Sequence, residues 1–300
     1  MIKEKIEKLI SQLTLQEKVD LIHGNGLFAT KGVERLGIPP FITSDGPRGV
    51  RKDFGNDSWK EVGLSYDYVS YLPCNTALAA TWNRALAHST GKLLGKEARG
   101  RGKDMILAPG INMMRSPLCG RSFEYMGEDP YRVSELVVPL VQGIEENDVS
   151  SCVKHFAVNN QETRRLDVDV EVSERALREI YLKGFEMAVK IGSPAAIMSS
   201  YNKINGVHAA NSRDLCTTVA REEWGFEGII ISDWNTTVPE DGSIPWECAA
   251  AGNDIIMPGN QKDEENIRGA YKKGELSEEE IRRCAGRILR VIRMLSNGKE

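Results

Sequence analysis

The chain has 300 residues, 41% hydrophobic and 27% charged, with a formal net charge of −4 and a pI near 5.8. That composition fits a globular protein of one large barrel or two smaller domains. It excludes nucleic acid as the main partner, because no basic face dominates, and no segment has the apolar length to cross a bilayer, so no membrane partner is expected.

The N-terminal stretch MIKEKIEKLISQL predicts an amphipathic helix with Ile2, Ile6, Leu9 and Leu13 on one stripe. It lacks the unbroken apolar core and small-residue cleavage site of a signal peptide. Thr14-Leu15-Gln16-Glu17 fits a capping box opening a second helix through Ile22. Past a run of glycines, FITSDGPRGVR predicts a short strand ending at Asp45 and a turn at Gly46-Pro47. Residues 52–72 show no periodicity and read as a long loop over one rim. Trp82, Leu86, Leu93 and Leu94 predict one helix from Thr81 to about Arg99.

MILAP (105–109) is the next strand, followed by a loop rich in Arg, Asn and acids. A helix follows near Val133 to Glu146, bent at Pro139. SCVKHFAV predicts a strand whose end carries Lys154 and His155. The helix from Glu174 to Ile191 carries Leu177, Ile180, Tyr181, Phe185 and Ala188, and stops at Gly192. AAIMSSY is a strand ending near Met198 and Tyr201, and a helix near Leu215 to Glu223 leads into GIIISDW. NDIIMP is a shorter strand, and Ser277 to Glu280 cap a last helix carrying Ile281, Ile288, Ile292 and Leu295. With no internal repeat or linker, residues 1–300 are expected to form one catalytic barrel domain.

GIIISDW is the most informative stretch. Three isoleucines ending in Ser232 and Asp233 read as a strand buried on both faces. The residue past such a strand faces the functional rim. The competing reading of Asp233 is a cap for the next helix. Alternating strands and helices predict α/β architecture, and a (β/α)₈ TIM-type barrel, irregular in its first strands, is favoured over an open sheet. Asp45, Arg115, Lys154, His155, Tyr201 and Asp233 come from different strand ends, and a closed ring brings them to one mouth.

No glycine-rich phosphate loop follows any strand, and His23, His88, His155 and His208 lack zinc spacing. Neither cofactor nor metal is expected. Six cysteines, Cys74, Cys119, Cys152, Cys216, Cys248 and Cys284, without a CxxC pair, predict reduced thiols in a cytoplasmic protein. A mouth of carboxylates, Arg, Lys, His, Tyr and Trp suits a polyhydroxylated neutral ligand. A carboxylate there could also attack an anomeric carbon.

Five motifs, SDGPRGVR, RSPLCGRSFEYMGEDP, VKHFAVNNQETRR, MSSYNKINGVHA and WGFEGIIISDW, resemble in order those of the glycoside hydrolase family 3 barrel. The resemblance spans Thr14 to about Leu295. It implies retaining hydrolysis of terminal β-linked sugars, most often β-glucosides, with a small oligosaccharide or β-glycoside as substrate. By the same resemblance, Asp233 is the nucleophile and Asp45 holds hydroxyls on the far side of the terminal sugar. Arg115, Lys154 and His155 line that subsite, Tyr201 stands beside the nucleophile, Met198 is an apolar wall, and Trp234 stacks on the leaving group.

Lys154 and His155 could instead be a packed pair. For Arg121, Arg165, Glu124, Glu128 and Asp129 a salt-bridge network bracing the loops is preferred. The loop AVNNQETRR lacks the histidine that the N-acetylglucosaminidase branch uses as acid/base. In the β-glucosidase branch the acid/base Glu comes from a second α/β domain, which is expected to be absent from this chain and supplied by another domain or chain. Glu240 and Asp241 are the nearest substitutes in the sequence. The alternatives are a non-catalytic sugar-binding barrel and a lyase or aldolase with Lys154 as a Schiff base.

Overall fold

Runs of β-branched and small apolar residues build five short parallel strands: β1 (Thr43–Asp45), β2 (Met105–Leu107), β3 (Ser150–Phe156), β4 (Ala196–Ser199) and β5 (Ile229–Ile231). They lie side by side in that order, with Asp45 level with Leu107 and Ile231 level with Met198. Every residue of β3 and β5 is buried, as expected for strands with side chains inside the ring and helices outside. The computed structural model describes residues 2–63 and 68–296; the side chains of Ile2, Lys3 and Ser296 lie outside the described set.

The ring closes through shorter pairings. Ile231 bridges Ile255, Ile256 bridges His23, and both contacts are parallel. Gly24 then pairs antiparallel with Thr30, and Ala29 antiparallel with Ile42, which leads back into β1. The result is an α/β TIM-type barrel with one reversed segment around Ala29–Thr30. That reversal is where the first strands are irregular.

The capping box forms: Glu17 N–H donates to Thr14 Oγ1, and the Glu17 carboxylate accepts from Thr14 N–H. A second box opens the last helix, Glu278–Ser296, through Ser277 and Glu280. Ile6, Ile10 and Leu13 bury against that helix while Leu9 is half-buried; Ile2 of the expected stripe lies outside the described side chains. No helix of the described residues is long and apolar enough to cross a membrane.

Two expectations need correction. The helix expected over 81–99 is present as Arg84–Gly100, but Trp82, whose φ is 53°, lies before it and separates it from a short helix, Asn75–Ala80, and its buried face is not the expected one. Trp82, Leu86 and Leu93 are exposed, and of the expected stripe only Leu94 is buried. The true packing face is Ala87, Gly91, Leu94, Gly95 and Ala98, which meets the helix Pro130–Glu145. A Cβ on Gly91 would lie 2.1 Å from the Leu140 carbonyl oxygen, and one on Gly143 2.2 Å from that of His88. Backbone-to-backbone approach, not large apolar side chains, makes this interface.

The second correction concerns residues 52–72. Residues 64–67 lie outside the described residues, but Phe54–Gly55 and Ser58–Glu61 pair as an antiparallel hairpin. All of Ser58–Glu61 is exposed, so no buried face imposes the alternation that marks a strand. The helices expected at 174–191 and 215–223 are present and contain wide i→i+5 turns, as in Ser193 N–H to Ala188 O at 2.9 Å.

Candidate active site

The C-terminal ends of the strands open onto a cavity of about 350 Å³. Asp45 ends β1, Leu107 ends β2, Lys154 and His155 lie in β3, Met198 lies in β4, and Tyr201 and Asp233 follow β4 and β5. All of them line this one cavity, together with Trp234.

Asp233 is 7% exposed and sits at the cavity floor. Its Oδ1 accepts the Trp234 N–H at 2.7 Å, whereas Oδ2 has no hydrogen-bond partner among the described residues. The next helix, Pro245–Ala251, has Ile244 at its N-cap, so Asp233 is not a helix cap. Burial raises the Asp233 carboxyl above the ordinary range, against the opposing pull of Arg121 and Lys154.

Lys154, 2% exposed, donates to Asp45 Oδ1 at 3.1 Å and lies 3.6 Å from Glu124 Oε1. Burial alone would lower its ammonium, but Asp45 and Glu124 outweigh it and hold the group above its usual value. A lysine held charged cannot act as an amine nucleophile, which argues against the Schiff-base reading. Asp45 also accepts from Gly46 N–H at 2.9 Å. Burial pushes the Asp45 carboxyl up, but Lys154 pulls it further down, leaving it below the ordinary range.

His155 lies between a guanidinium and a hydroxyl. Arg121 Nη2 lies 2.9 Å from its Nε2, and the Tyr125 hydroxyl 3.1 Å from its Nδ1. A guanidinium can only donate, so Nε2 is the acceptor and the ring proton sits on Nδ1. Burial, then Arg121 and Lys154, push its pKa well below normal, so the ring is neutral. The 3.6 Å separation between His155 Nε2 and Asp233 Oδ2 is therefore not an ion pair. His155 orients Arg121 toward the floor, and Asn112 fixes its backbone from both sides.

The Tyr201 hydroxyl donates to the Trp234 carbonyl at 2.7 Å, and the Arg165 guanidinium lies 4.6 Å from the Tyr201 ring centre. Trp234 Nε1–H donates to the Leu27 carbonyl at 2.7 Å, fixing the indole against Phe28.

The sequence matches a model described as the glycosyl hydrolase family 3 N-terminal domain over residues 25–291. The chain belongs to glycosyl hydrolase family 3. It is 43% identical over 280 residues to beta-glucosidase BoGH3A of Bacteroides ovatus, covering 93% of this chain and 35% of that protein. It is 39% identical over 276 residues to an exo-alpha-(1->6)-L-arabinopyranosidase of Bifidobacterium breve, covering 92% of this chain and 36% of that one. The structure of beta-glucosidase 3B from Thermotoga neapolitana in complex with glucose matches with a TM-score of 0.90 at 42% identity, covering 98% of this chain and 43% of that chain. The chain thus spans well under half the length of these relatives.

In this family 3 barrel the arginines are placed differently from expectation. Arg115 is exposed, with its guanidinium 5.9 Å from the Tyr181 ring centre, and does not line the cavity. Arg121 and Arg165 line it instead. The preferred bracing role for these two is half the account: Arg121 Nε pairs with Glu124 at 2.5 Å and Arg165 with Glu162 at 2.9 Å, and the same ion pairs aim both guanidiniums inward. Glu240 and Asp241 are exposed and do not line the cavity. Phe28, Trp59, Leu166 and Asn235, which also line it, carry no sequence pattern that singles them out.

For a metal, the described residues offer one cluster, Asp20, His23 and Glu264, with ligand atoms within 4.8 Å of one another. Lys31 pairs with Asp20 at 2.7 Å, and Gln16 donates to both carboxylates, so the negative charge is already met.

Proposed function

We propose that this chain is the nucleophile-bearing barrel of a retaining β-glucosidase. One observation carries the reading: Asp233 lies buried at the floor of the cavity, with Arg121, Lys154 and Tyr201 acting on its carboxylate and His155 Nε2 3.6 Å from its Oδ2. Asp233 attacks the anomeric carbon and forms a C–O bond as the bond to the leaving group breaks; water then hydrolyses the glycosyl-aspartate. Asp45 and Lys154, locked as an ion pair, bind sugar hydroxyls and take no part in proton transfer. Trp234 and Met198 supply the apolar faces.

Among the described residues the cavity-lining carboxylates are Asp233 and Asp45, and Asp45 is held ionised. We therefore assign the proton donor to a group from outside this chain, a further α/β domain or a partner chain. The six cysteines form no disulfide, which supports a reducing, cytoplasmic setting. The relatedness to an arabinopyranosidase favours a second reading of the sugar, a terminal arabinopyranose.

The test is covalent trapping. A 2-deoxy-2-fluoro-β-glucoside of dinitrophenol, whose leaving group needs no proton, labels Asp233, and peptide mapping locates the adduct. The unfluorinated dinitrophenyl glucoside shows a burst followed by slow turnover that azide accelerates, because a missing general acid/base is worth about 10²–10⁴ in rate. The same aryl α-L-arabinopyranoside decides the sugar. Sugar binding without any label would leave a non-catalytic sugar-binding barrel.

A further inference from the structure

The hairpin Phe54–Gly55 and Ser58–Glu61 was invisible in the sequence and is absorbed by none of the chemistry above. Its Trp59 nevertheless lines the same cavity as Asp233 and is 50% exposed, against 7% for Asp233 and 2% for Lys154. The cavity therefore has a charged, buried floor and an aromatic, half-open rim. Phe28 joins the two: its ring centre lies 5.5 Å from Trp234, 5.7 Å from Trp59 and 6.3 Å from Phe54. This continuous aromatic wall starts at the residue following Asp233 and ends at the rim.

The hairpin is held in place at its base. Asp53 pairs with Arg101 at 3.0 Å and with Lys103, and the Leu27 N–H donates to the Asn56 carbonyl at 2.6 Å. The Arg51 guanidinium lies 4.9 Å from the Phe54 ring centre and 5.4 Å from that of Trp59, while its Nη1 is 3.5 Å from Asp45 Oδ2. Arg51 thus ties the hairpin to the sugar-binding carboxylate. A half-exposed tryptophan on a pre-positioned support loses little conformational freedom when a ring covers it.

We propose that Trp59 is the platform for the leaving-group part of the glycoside, and that its ligand is a flat ring with an apolar face. The inference rests on the glycosidase reading: with the terminal sugar at the floor, what protrudes to the rim is the group attached through its anomeric oxygen. The ligand class includes an aryl ring and the C–H face of a second pyranose. Trp59 sets which β-glycosides are preferred and makes no contact with the reacting atoms.

Inert thioglycosides separate this proposal from the chemistry. Calorimetry on the 300-residue chain compares phenyl 1-thio-β-D-glucopyranoside with its methyl counterpart, which presents the same sugar without the ring. The phenyl compound binds more tightly by about 2- to 12-fold, the worth of one aromatic contact. Trp59→Ala abolishes that advantage and leaves methyl thioglucoside affinity unchanged; Trp59→Phe retains part of it. Thiocellobiose in place of the phenyl compound shows whether a pyranose gains from the same wall. A phenyl advantage that survives in Trp59→Ala overturns the proposal, as does an equal loss for both ligands. If the unaltered chain binds neither thioglycoside, the glycosidase reading fails, and the subsite fails with it.

Discussion

The barrel buries a carboxylate at each of its two ends, and the two are treated in opposite ways. Asp254, at the start of the strand segment that follows β5, has both oxygens satisfied. Oδ2 accepts from Arg221 at 2.7 Å and from Ile230 N–H at 2.8 Å, and Oδ1 from Arg287 at 2.8 Å. Asp233, at the mouth, has an oxygen, Oδ2, without a hydrogen-bond partner among the described residues, although Arg121, Lys154 and His155 surround it. Asp254 therefore pins helix to strand, and Asp233 opens onto the cavity. A buried charge with all its partners serves the fold, while one with a partner missing in a cleft costs stability and marks a candidate functional group. This matches the division of barrel ends into a stabilising face and a functional one.

The sharpest test of this contrast is to neutralise each carboxylate. Asp233→Asn abolishes labelling by the fluoroglycoside and lowers turnover of the dinitrophenyl glucoside on the order of 10⁴-fold or more. Its melting temperature does not fall, because an unsatisfied buried charge has been removed. Asp254→Ala does the reverse. It strands Arg221 and Arg287 and costs about 3–5 kcal/mol in a denaturant titration. At temperatures where the variant is folded, labelling of Asp233 persists. A stable, fully labelled Asp254→Ala would erase the distinction.

A smaller effect is expected at Asp45, which belongs to the mouth but is fully partnered. Asp45→Ala removes a charge-assisted contact to sugar worth about 1.5–3 kcal/mol, so glucose affinity measured by calorimetry drops about 10- to 150-fold. Unchanged affinity in a well-folded variant would move Asp45 to the structural class that Asp254 represents.

The smallest effect concerns Glu145, a second carboxylate at the stabilising end. Its Oε1 accepts from the N–H and Oγ of Ser151 at 2.8 and 2.7 Å and from Ala195 N–H at 2.9 Å. Burial still dominates and raises its pKa from 4.5 to about 7. Below the ordinary value both folded and unfolded chains hold the proton, so there is no effect. As pH rises toward 7 the unfolded chain releases its proton first and stability falls; above about 7 the loss is constant. Glu145→Gln is therefore expected to raise the melting temperature at pH 8 and leave it unchanged at pH 4. Equal shifts at both pH values would show that hydrogen bonding, not ionisation, governs the site.

Strand positions and the carboxylates at their ends were legible because both are local properties. A run such as Ile229–Ile231 is buried on both sides wherever it sits in a barrel, and the next polar residue must emerge at the mouth. Asp45, Lys154, His155, Met198, Tyr201, Asp233 and Trp234 were placed by that logic and by motif resemblance, and the fold brings them into one cavity. Arg115 and Arg121 could not be told apart in this way. They share one irregular loop, and which of them turns inward depends on Glu124 and His155, partners that the fold delivers. The buried face of the helix at 84–100 differs from expectation for a related reason: it is built largely from glycine and alanine, which carry little hydrophobic signature, while Leu86 and Leu93 face outward. The sequence alone thus determined the barrel, its mouth and the carboxylate at its centre. Only the tertiary structure decided the neutral state of His155, the unpartnered oxygen of Asp233 and the reach of Trp59 into the cavity. Each of those depends on groups far apart in the chain, whose distances and burial no local pattern encodes.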